Sequence, residues 1–513
     1  RYPPKCSTQS ADMDTQSTCA DMSHVSDESS YSETETVCPS TAPLPPRELE
    51  ACLLQDTTDS FGFGQADLQC RSTLVGEEGK DSIPEFGLLG KLSNRHIPTN
   101  NHTPIYLNVH DPFCFVTVGV QGSGKSHSLA VIVENCVLRS TDEVCNTDGT
   151  LRLHTPMSSL VFHYDQNQRN QCETIGIIHP SDRLRSYFAE KKLEPLSLPR
   201  QKILVIVSPS NYHQRKAYYG SDVRVEPLLF SWGALSAKQI KCIMRINDGE
   251  NQLYVSTMLS LLRKYQRKQC MPSFVDFCNE LTSICSASGQ NGPLRQRLAL
   301  LDALMKESDV NKEFYRDRMG GDLSALMQEG MMVVADLTDP LLSPEEANGI
   351  FEVLLDQFRS DLVGGTTKEG KLLVLDEAHR YVSGAASDGL SKSIIDAVRL
   401  MRHEGLRVAI STQSPKILAP ELLELVSLMM IHRFHSEEWY NHLKSKVPLP
   451  PGGFDVVRNL QTGQALVFAA GHQLEEDISK DPLLVTVRAR FTQDLGASVT
   501  NAGCLSRQLV KDT

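Results

Sequence analysis

The sequence predicts an α/β fold with a mostly parallel sheet, a helical insertion and a disordered acidic N-terminal tail. From about residue 106, short continuous apolar runs alternate with helical patterns, which is typical of a parallel sheet covered on both faces. Residues 235–329 show helical periodicity and no strand-like run. Residues 1–60 are rich in Ser, Thr, Asp and Glu and have little hydrophobic periodicity, so we expect them to be disordered.

The individual elements follow from these patterns. Apolar runs predict strands at 114–119, 160–164, 203–207, 331–335, 372–375, 408–411, 428–432 and 465–469. Helical spacing of apolar residues predicts helices at 126–138, 344–362 and 390–403, and within the insertion at 254–265, 272–281 and 294–305. The predicted organisation is a tail at 1–60, a lead-in segment at 61–105, a core at 106–234 and 330–490 divided by the insertion at 235–329, and a C-terminal tail at 491–513.

Composition and charge exclude several classes of protein. No stretch approaches 18 consecutive apolar residues, which excludes a transmembrane helix and gives no sign of membrane association. The 14 cysteines are scattered without a CxxC pair, which predicts neither a disulfide framework nor a zinc ribbon and favours the cytoplasm or nucleus. The net charge of −12 argues against a DNA-coating protein. However, residues 1–100 hold 16 acidic and 7 basic residues, which leaves the rest nearly neutral.

A phosphate-binding motif follows the first predicted strand of the core. Residues 119–126 read Gly-x-x-x-x-Gly-Lys-Ser between a strand and a helix, which is the P-loop pattern in its required context. Backbone N–H groups of such a loop surround phosphates, the lysine reaches the β- and γ-phosphates, and the serine binds Mg²⁺. An ordinary Gly-rich turn is the alternative. The motif predicts that the nucleotide is bound by Gly119, Val120, Gln121, Gly122, Ser123, Gly124, Lys125, Ser126 and His127.

A second motif places two carboxylates at the end of the strand at 372–375. Asp376 is predicted to hold Mg²⁺ together with Ser126, and Glu377 to polarise the attacking water as a general base. This is the Walker B arrangement, and the acid-rich start of a helix is the alternative. A base beside the metal-binding acid favours hydrolysis over transfer to a small molecule. Gln413, at the tip of the following strand, is predicted to sense the γ-phosphate or the water, or else belongs to a plain turn.

Taken in this order, the motifs resemble the HerA/FtsK superfamily of P-loop ATPases, and its HerA branch most closely. The resemblance covers roughly 106–470 and is carried by residues 119–126, 376–381, 402–405, 412–415, 431–433 and 460–468. One departure concerns the N-terminal β-barrel that HerA proteins carry, since the acidic tail leaves about 45 residues before the core. The stretch Asp-Glu-Ala-His also resembles DEAH-box helicases, but the later motifs of those enzymes do not follow.

The resemblance implies a RecA/FtsK-like P-loop NTPase that binds ATP and Mg²⁺ and hydrolyses ATP. It further implies a homo-oligomer, usually a hexamer, that moves DNA or another polymer through a central pore. Gln413 matches the sensor glutamine of the family. Arg402 matches the arginine that family members insert into the neighbouring subunit's site, and Arg399 and Arg433 are lesser candidates. For Arg402 the alternative is a helix-end cation that interacts with the helix dipole.

Other interpretations of the sequence stay open. A nucleotide-switched scaffold or signalling NTPase would use the same motifs without translocase activity. A P-loop kinase is disfavoured by Glu377 and by the glutamine-tipped strand. Three further residues near predicted strand ends (His127, Asp165 and Asp336) are interpreted as local cap or turn residues rather than catalytic groups. A basic cluster in the insertion is either a solvated helix face or a phosphate-contacting patch: Arg263, Lys264, Arg267 and Lys268.

Overall fold

The protein is described by a computed structural model that covers residues 72–93, 103–139, 149–192, 194–246, 253–268, 270–285, 291–315, 323–327, 330–360, 370–383, 388–450, 452–474 and 482–495. All of these lie in one unit, Gly62–Thr513. The predicted tail at 1–60 and most of the predicted tail at 491–513 fall outside the described residues. Across the ranges given above, no helix is long and apolar enough to cross a membrane.

The described chain alternates strands and helices, as the sequence predicts. The strands are β1 (Leu74–Val75), β2 (Phe86–Leu92), β3 (Pro104–Asn108), β4 (Cys114–Val118), β5 (Leu151–Arg152), β6 (Ser158–His163), β7 (Ile203–Val207), β8 (Arg224–Pro227), β9 (Met332–Asp336), β10 (Lys371–Leu375), β11 (Leu406–Thr412), β12 (Leu428–Ile431), β13 (Gln464–Ala469), β14 (His472–Gln473) and β15 (Leu483–Val487). Each of the eight strands predicted from apolar runs has a counterpart among them.

Six of the helices in the described residues lie close to their predicted bounds, and the other eight had no predicted bounds. The helices are α1 (Lys125–Val137), α2 (Arg185–Lys191), α3 (Tyr212–Tyr219), α4 (Ala237–Ile243), α5 (Leu253–Lys268), α6 (Phe274–Ile284), α7 (Asn291–Leu304), α8 (Asp309–Tyr315), α9 (Leu323–Leu326), α10 (Pro344–Ser360), α11 (Gly389–Glu404), α12 (Pro420–Leu425), α13 (Glu437–Lys444) and α14 (Gly453–Asn459). The predicted C-terminal end of α10 at 362 lies outside the described residues.

Eight strands of the sheet run parallel, in the order β12-β4-β11-β10-β6-β9-β7-β8. Strand β11 lies between β4, which leads into the P-loop, and β10, which leads into Asp376 and Glu377. Because parallel strands end at the same edge of a sheet, the P-loop, the two acids and Gln413 meet at one edge. The predicted mostly parallel sheet is confirmed for this half.

The parallel strands are buried on both faces. In β10, Leu373 and Leu375 belong to the apolar core on one face, and Leu372 and Val374 belong to the core on the other. All four side chains are fully buried. This double burial explains why the strands read as continuous apolar runs rather than as alternating patterns.

The other half of the sheet is antiparallel. Strands β13, β15, β2 and β3 continue it from β12 with antiparallel pairings. The predicted strand at 465–469 therefore forms, but it runs against its neighbours rather than with them. The described part of the predicted lead-in segment supplies β1, β2 and the start of β3. Gly90 in β2 permits the close pairing, because a Cβ atom there would lie 2.3 Å from the carbonyl oxygen of Thr486.

The described part of 235–329 is helical, as predicted. Helix α4 begins at a capping box formed by Ser236 and Gln239, and α6 begins at Ser273, whose hydroxyl accepts from the backbone N–H of Asp276. The apolar faces of these helices join the core on one side of the sheet. In the basic cluster of α5, Lys264 pairs with Glu280 of α6 at 2.9 Å, so that lysine links two helices.

Candidate functional site

The backbone of the P-loop requires its glycines. Gly122 and Gly124 have φ angles of 73° and 107°, in the left-handed region that favours glycine. At Gly119 a Cβ atom would lie 2.5 Å from Oγ of Ser123 and 2.8 Å from Cβ of His432. Helix α1 begins directly after this loop, so its unpaired backbone N–H groups and positive dipole end point into the loop. The loop and helix together form a site for phosphates.

A buried histidine ties the P-loop helix to the sheet. The ring of His432, which follows β12, lies 2.9 Å from Oγ of Ser128 through Nε2 and 2.9 Å from the carbonyl oxygen of Gln464 through Nδ1. Burial lowers the pKa of His432 to about 4, so the ring is neutral at physiological pH. A neutral ring donates from Nδ1 to Gln464 and accepts the Ser128 hydroxyl at Nε2. His432 therefore fixes the position of α1 against β12 and β13.

The predicted catalytic groups meet around Glu377. Its carboxylate pairs with the ammonium group of Lys125 and accepts a 3.0 Å hydrogen bond from Nε2 of Gln413. His379 Nδ1 lies 3.1 Å from the same carboxylate. Sequence reasoning assigned His379 no role, and its only signal is the Asp-Glu-Ala-His stretch. Glu377 also has a φ angle of 48°, which is uncommon for a residue with a side chain and marks a conformation held by its surroundings.

The other acid of the motif, Asp376, is buried and charged. Oδ2 of Asp376 lies 3.4 Å from Nδ1 of His163, at the end of β6. Burial raises the pKa of Asp376. The opposing effect of the nearby cationic groups is larger and holds that pKa below its usual value; these groups are His163, Lys125 and Arg380. Burial lowers the pKa of His163, but Asp376, Asp336 and Asp165 outweigh this and raise it. Sequence reasoning missed His163, whose only signal is a histidine at the end of an apolar strand.

The donor atoms at this edge of the sheet suit magnesium. The carboxylate of Asp376 and the hydroxyl of Ser126 are oxygen donors that line one cleft together with Lys125 and Glu377. Mg²⁺ prefers oxygen ligands and is usually held by one or two carboxylates plus substrate phosphates. The cleft has a volume of about 1840 Å³, which leaves room for a nucleotide and water. Glu173 also lines it, and burial raises the pKa of Glu173 to about 7.

The order of the strands and the positions of the motifs along them identify the fold. The chain has a RecA/FtsK-like P-loop NTPase fold. No family model matches it, and no curated protein does either. Solved structures similar to this P-loop NTPase include VirB4 of Thermoanaerobacter pseudethanolicus, at 11% identity over 79% of this chain and 96% of that one, with a TM-score of 0.45. The plasmid coupling protein TrwB with ADPNP is similar at 14% identity over 76% and 88%, with a TM-score of 0.42.

A third similar structure is the genome packaging NTPase B204 of Sulfolobus turreted icosahedral virus 2 in complex with ATP-gammaS. It is 12% identical over 70% of this chain and 92% of that one, with a TM-score of 0.25. At these identities, the fold assignment rests on the sheet order and the motif positions of this chain.

The P-loop helix of this NTPase is also held by the segment after β15. Glu134, buried on α1, pairs with Arg488 at 2.7 Å and accepts from the backbone N–H groups of Phe491 and Thr492. His127 Nε2 lies 2.7 Å from the carbonyl oxygen of Arg488. His127 therefore lines the nucleotide cleft while its ring is bonded to this segment. The predicted C-terminal tail at 491–513 thus begins with two residues that pack against α1.

Asp165 and Asp336 lie at the ends of neighbouring strands and bond locally. Asp165 accepts from the backbone N–H of Asn167 at 2.9 Å and pairs with Arg380. Asp336 accepts from the hydroxyl of Thr338 at 2.6 Å. It also accepts from two side chains of α3, the guanidinium of Arg215 at 2.5 Å and the hydroxyl of Tyr219 at 2.5 Å. These bonds give Asp336 a role in packing α3 against β9.

Arg215→Met is expected to lower the free energy of unfolding by about 3–5 kcal/mol, because it leaves the carboxylate of Asp336 buried without its cation. Both side chains are almost fully buried, at 1% and 0% exposure. Urea unfolding at constant pH measures the change. Arg185→Met is the matched control, since Arg185 pairs with Asp182 on the surface. A loss below about 1 kcal/mol for Arg215→Met would contradict the expectation.

The predicted trans-acting arginine lies away from this chain's own nucleotide site. Arg402 is exposed near the C-terminal end of α11, which closes at Gly405 with a φ angle of 60°. Strand β11 then crosses the sheet and ends beside Gln413, so Arg402 and Gln413 lie at opposite edges. Arg399, one turn earlier, pairs with Glu421 and Asp396 of its own chain.

The third candidate, Arg433, follows β12. Its carbonyl oxygen accepts the backbone N–H of Val120 at 3.1 Å, and its Nε is buried without a hydrogen-bond partner among the described residues. Arg433 is therefore close to the P-loop of its own chain. Arg402 and Arg399 are both exposed, whereas Arg433 is half-buried, and Arg399 is already paired within its own chain.

Proposed function

We propose that this protein is a Mg²⁺-dependent ATPase of the HerA/FtsK type that forms a ring and translocates DNA. The observation that carries the ATPase proposal is the junction of Lys125, Glu377 and Gln413. Three strands and the P-loop bring a phosphate-binding cation, a carboxylate and an amide together at one cleft. A P-loop alone binds nucleotide, whereas a positioned carboxylate beside it supplies a base for hydrolysis.

Each residue has a separate task in this mechanism. The backbone N–H groups of 119–124 and the ammonium group of Lys125 bind and neutralise the phosphates. Ser126 and Asp376 would hold Mg²⁺, which would supply positive charge to neutralise the phosphates. Glu377 accepts a proton from the attacking water, and Gln413 orients that water and the Glu377 carboxylate. The bond from Gln413 to Glu377 supports this pairing of roles.

Three parts of the proposal rest on less direct support: that the nucleotide is ATP, that the chains form a ring, and that the ring moves DNA. No guanine-specific Asn-Lys-x-Asp motif occurs in the sequence, which favours ATP. TrwB, one of the similar structures, was solved with both an ATP analogue and a GTP analogue. The exposed position of Arg402 supports a neighbouring subunit that completes the site. Translocation of DNA follows from the family resemblance of the motifs alone.

One experiment tests these parts separately. The full chain is assayed for ATP turnover with and without double-stranded DNA, and its mass is measured by light scattering with and without nucleotide. We expect a multi-subunit assembly. We also expect DNA to increase its rate of ATP turnover at least several-fold. Lys125→Ala is the control that removes nucleotide-dependent signals. A monomer with slow turnover that DNA does not change would instead support the nucleotide-switched scaffold.

A further inference from the structure

A buried group of metal-ligating side chains lies at the base of the nucleotide cleft. We propose that His163, Cys172 and Asp376 form a transition-metal site for Zn²⁺ or a similar cation, and that this site competes with Mg²⁺ for Asp376. One ring nitrogen, the thiol sulfur and one carboxylate oxygen all lie within 4.8 Å of one another. All three residues are buried, with Cys172 at 0% exposure and His163 and Asp376 at 5% each.

His163 supplies the observation that points to a ligand. Both of its ring nitrogens are buried, and among the residues that the structure describes neither has a hydrogen-bond partner that meets normal geometry. The nearest defined contact is the 3.4 Å separation between Nδ1 and Oδ2 of Asp376. A buried polar group without a hydrogen bond is costly, and native structures seldom contain one without a water or ion to satisfy it. A metal bound by an imidazole nitrogen would satisfy this side chain.

The fold places the three ligands from separate elements. His163 and Asp376 follow the paired parallel strands β6 and β10, so their side chains meet at the same edge of the sheet. Cys172 lies in the loop that immediately precedes the short 3-10 turn Glu173–Ile178. His163 and Asp376 both line the nucleotide cleft. An ion can therefore enter from the cleft, and a water molecule there can complete a four-coordinate site.

The chemistry of this set selects against magnesium. Imidazole, thiolate and carboxylate together suit Zn²⁺ and Co²⁺, whereas Mg²⁺ prefers oxygen donors only. In a tetrahedral zinc site, ligand atoms are separated by roughly 3.5 Å, so the side chains need to close by about 1 Å. Binding requires the thiolate of Cys172, and the thiol proton passes to water as the metal–sulfur bond forms.

The shared carboxylate links this site to catalysis, a consequence that rests on the proposed function. Asp376 cannot serve fully in the Mg²⁺ shell while it binds a second cation with His163 and Cys172. We therefore expect zinc to inhibit ATP turnover and excess Mg²⁺ with ATP to relieve that inhibition. Metal binding itself does not depend on ATPase activity and is measured separately.

The site is tested by adding Co²⁺ to the full chain without nucleotide under reducing conditions. We expect one cobalt per chain, with the near-ultraviolet charge-transfer band of a thiolate ligand and the visible bands of four-coordinate cobalt. Cys172→Ala should lose the charge-transfer band. Cys136→Ala, which removes another fully buried thiol, should keep it. His163→Gln should weaken cobalt binding at least 10-fold.

Two results would overturn the site: a wild-type chain without the charge-transfer band, or a band that Cys172→Ala leaves unchanged. The wild-type spectrum decides even if a variant fails to fold, which circular dichroism would reveal. Zinc inhibition is then measured as ATP turnover at fixed Mg²⁺. Turnover that zinc does not affect would overturn the competition for Asp376. Cobalt binding in a chain without any ATP turnover would instead overturn the proposed function and leave the metal site in place.

Discussion

Glu377→Gln is expected to lower ATP turnover by about 10²–10⁴-fold while nucleotide binding is kept. Glutamine has nearly the same shape but cannot accept a proton from water. The P-loop does not depend on the negative charge of Glu377, because its shape is set by Gly119, Gly122 and Gly124. Phosphate release under multiple turnover, together with fluorescent-nucleotide titration, separates the catalytic step from binding.

The control for this variant is Glu437→Gln, which removes an exposed acid from the first turn of α13. We expect its turnover to equal that of the wild-type chain. Turnover of Glu377→Gln within two-fold of wild type would refute the assignment of the base. Loss of binding along with turnover would point instead to a structural role for Glu377 in holding Lys125, with which it pairs.

Arg402→Ala is expected to lower ATP turnover by about 10³–10⁵-fold if the arginine completes a neighbouring subunit's site, as trans-acting arginines do in other phosphoryl-transfer enzymes. ATP binding should survive, because Arg402 lies at the edge of the sheet opposite Gln413 within its own chain. The folding free energy should change little, since the side chain is exposed. Turnover, nucleotide affinity and urea unfolding are the three measurements.

A comparison within the same helix sharpens the test. Arg399→Ala removes an arginine one turn earlier that is already paired with Glu421 and Asp396, so we expect a much smaller loss. Co-assembly of Arg402→Ala with Glu377→Gln chains should restore part of the activity, because some interfaces then combine an intact Glu377 with an intact Arg402. Wild-type turnover in Arg402→Ala would refute the role, and absence of any restoration in confirmed mixed assemblies would refute its action between subunits.

The parallel half of the fold could be predicted because its signal is local. Strand β7 matches its predicted bounds of 203–207, since a strand buried on both faces reads as an unbroken apolar run. Strand β15 was not predicted, although only Thr486 interrupts its apolar run. Residues 86–92 were predicted only as part of the lead-in segment, because two glycines and a lysine interrupt their apolar pattern. Lys91 and Thr486 face each other where the two strands pair. Nothing near either strand in the sequence indicates a partner so distant.

The candidate site likewise contains residues that the sequence could predict and residues that it could not. Lys125, Asp376 and Glu377 belong to short motifs with fixed spacing, and the ends of parallel strands bring such motifs together. His163 and His432 could not be predicted, because their positions depend on contacts between distant segments. The bond between His432 and Ser128, for example, joins residues 304 positions apart. A single histidine after an apolar strand is too common to identify such a contact.

The antiparallel half of the sheet has a consequence for biosynthesis. The guanidinium of Arg488 donates to the carbonyl oxygen of Leu88, 400 residues earlier, and β15 covers the edge of β2. During translation, β3 can pair with β2 early, but the edge of β2 that β15 covers stays unpaired by β15 until nearly the whole described chain has left the ribosome. An uncovered strand edge is a template for aggregation, and contacts this distant slow folding. The yield of folded protein should accordingly be higher at a low growth temperature and in the presence of chaperones that shield the nascent chain.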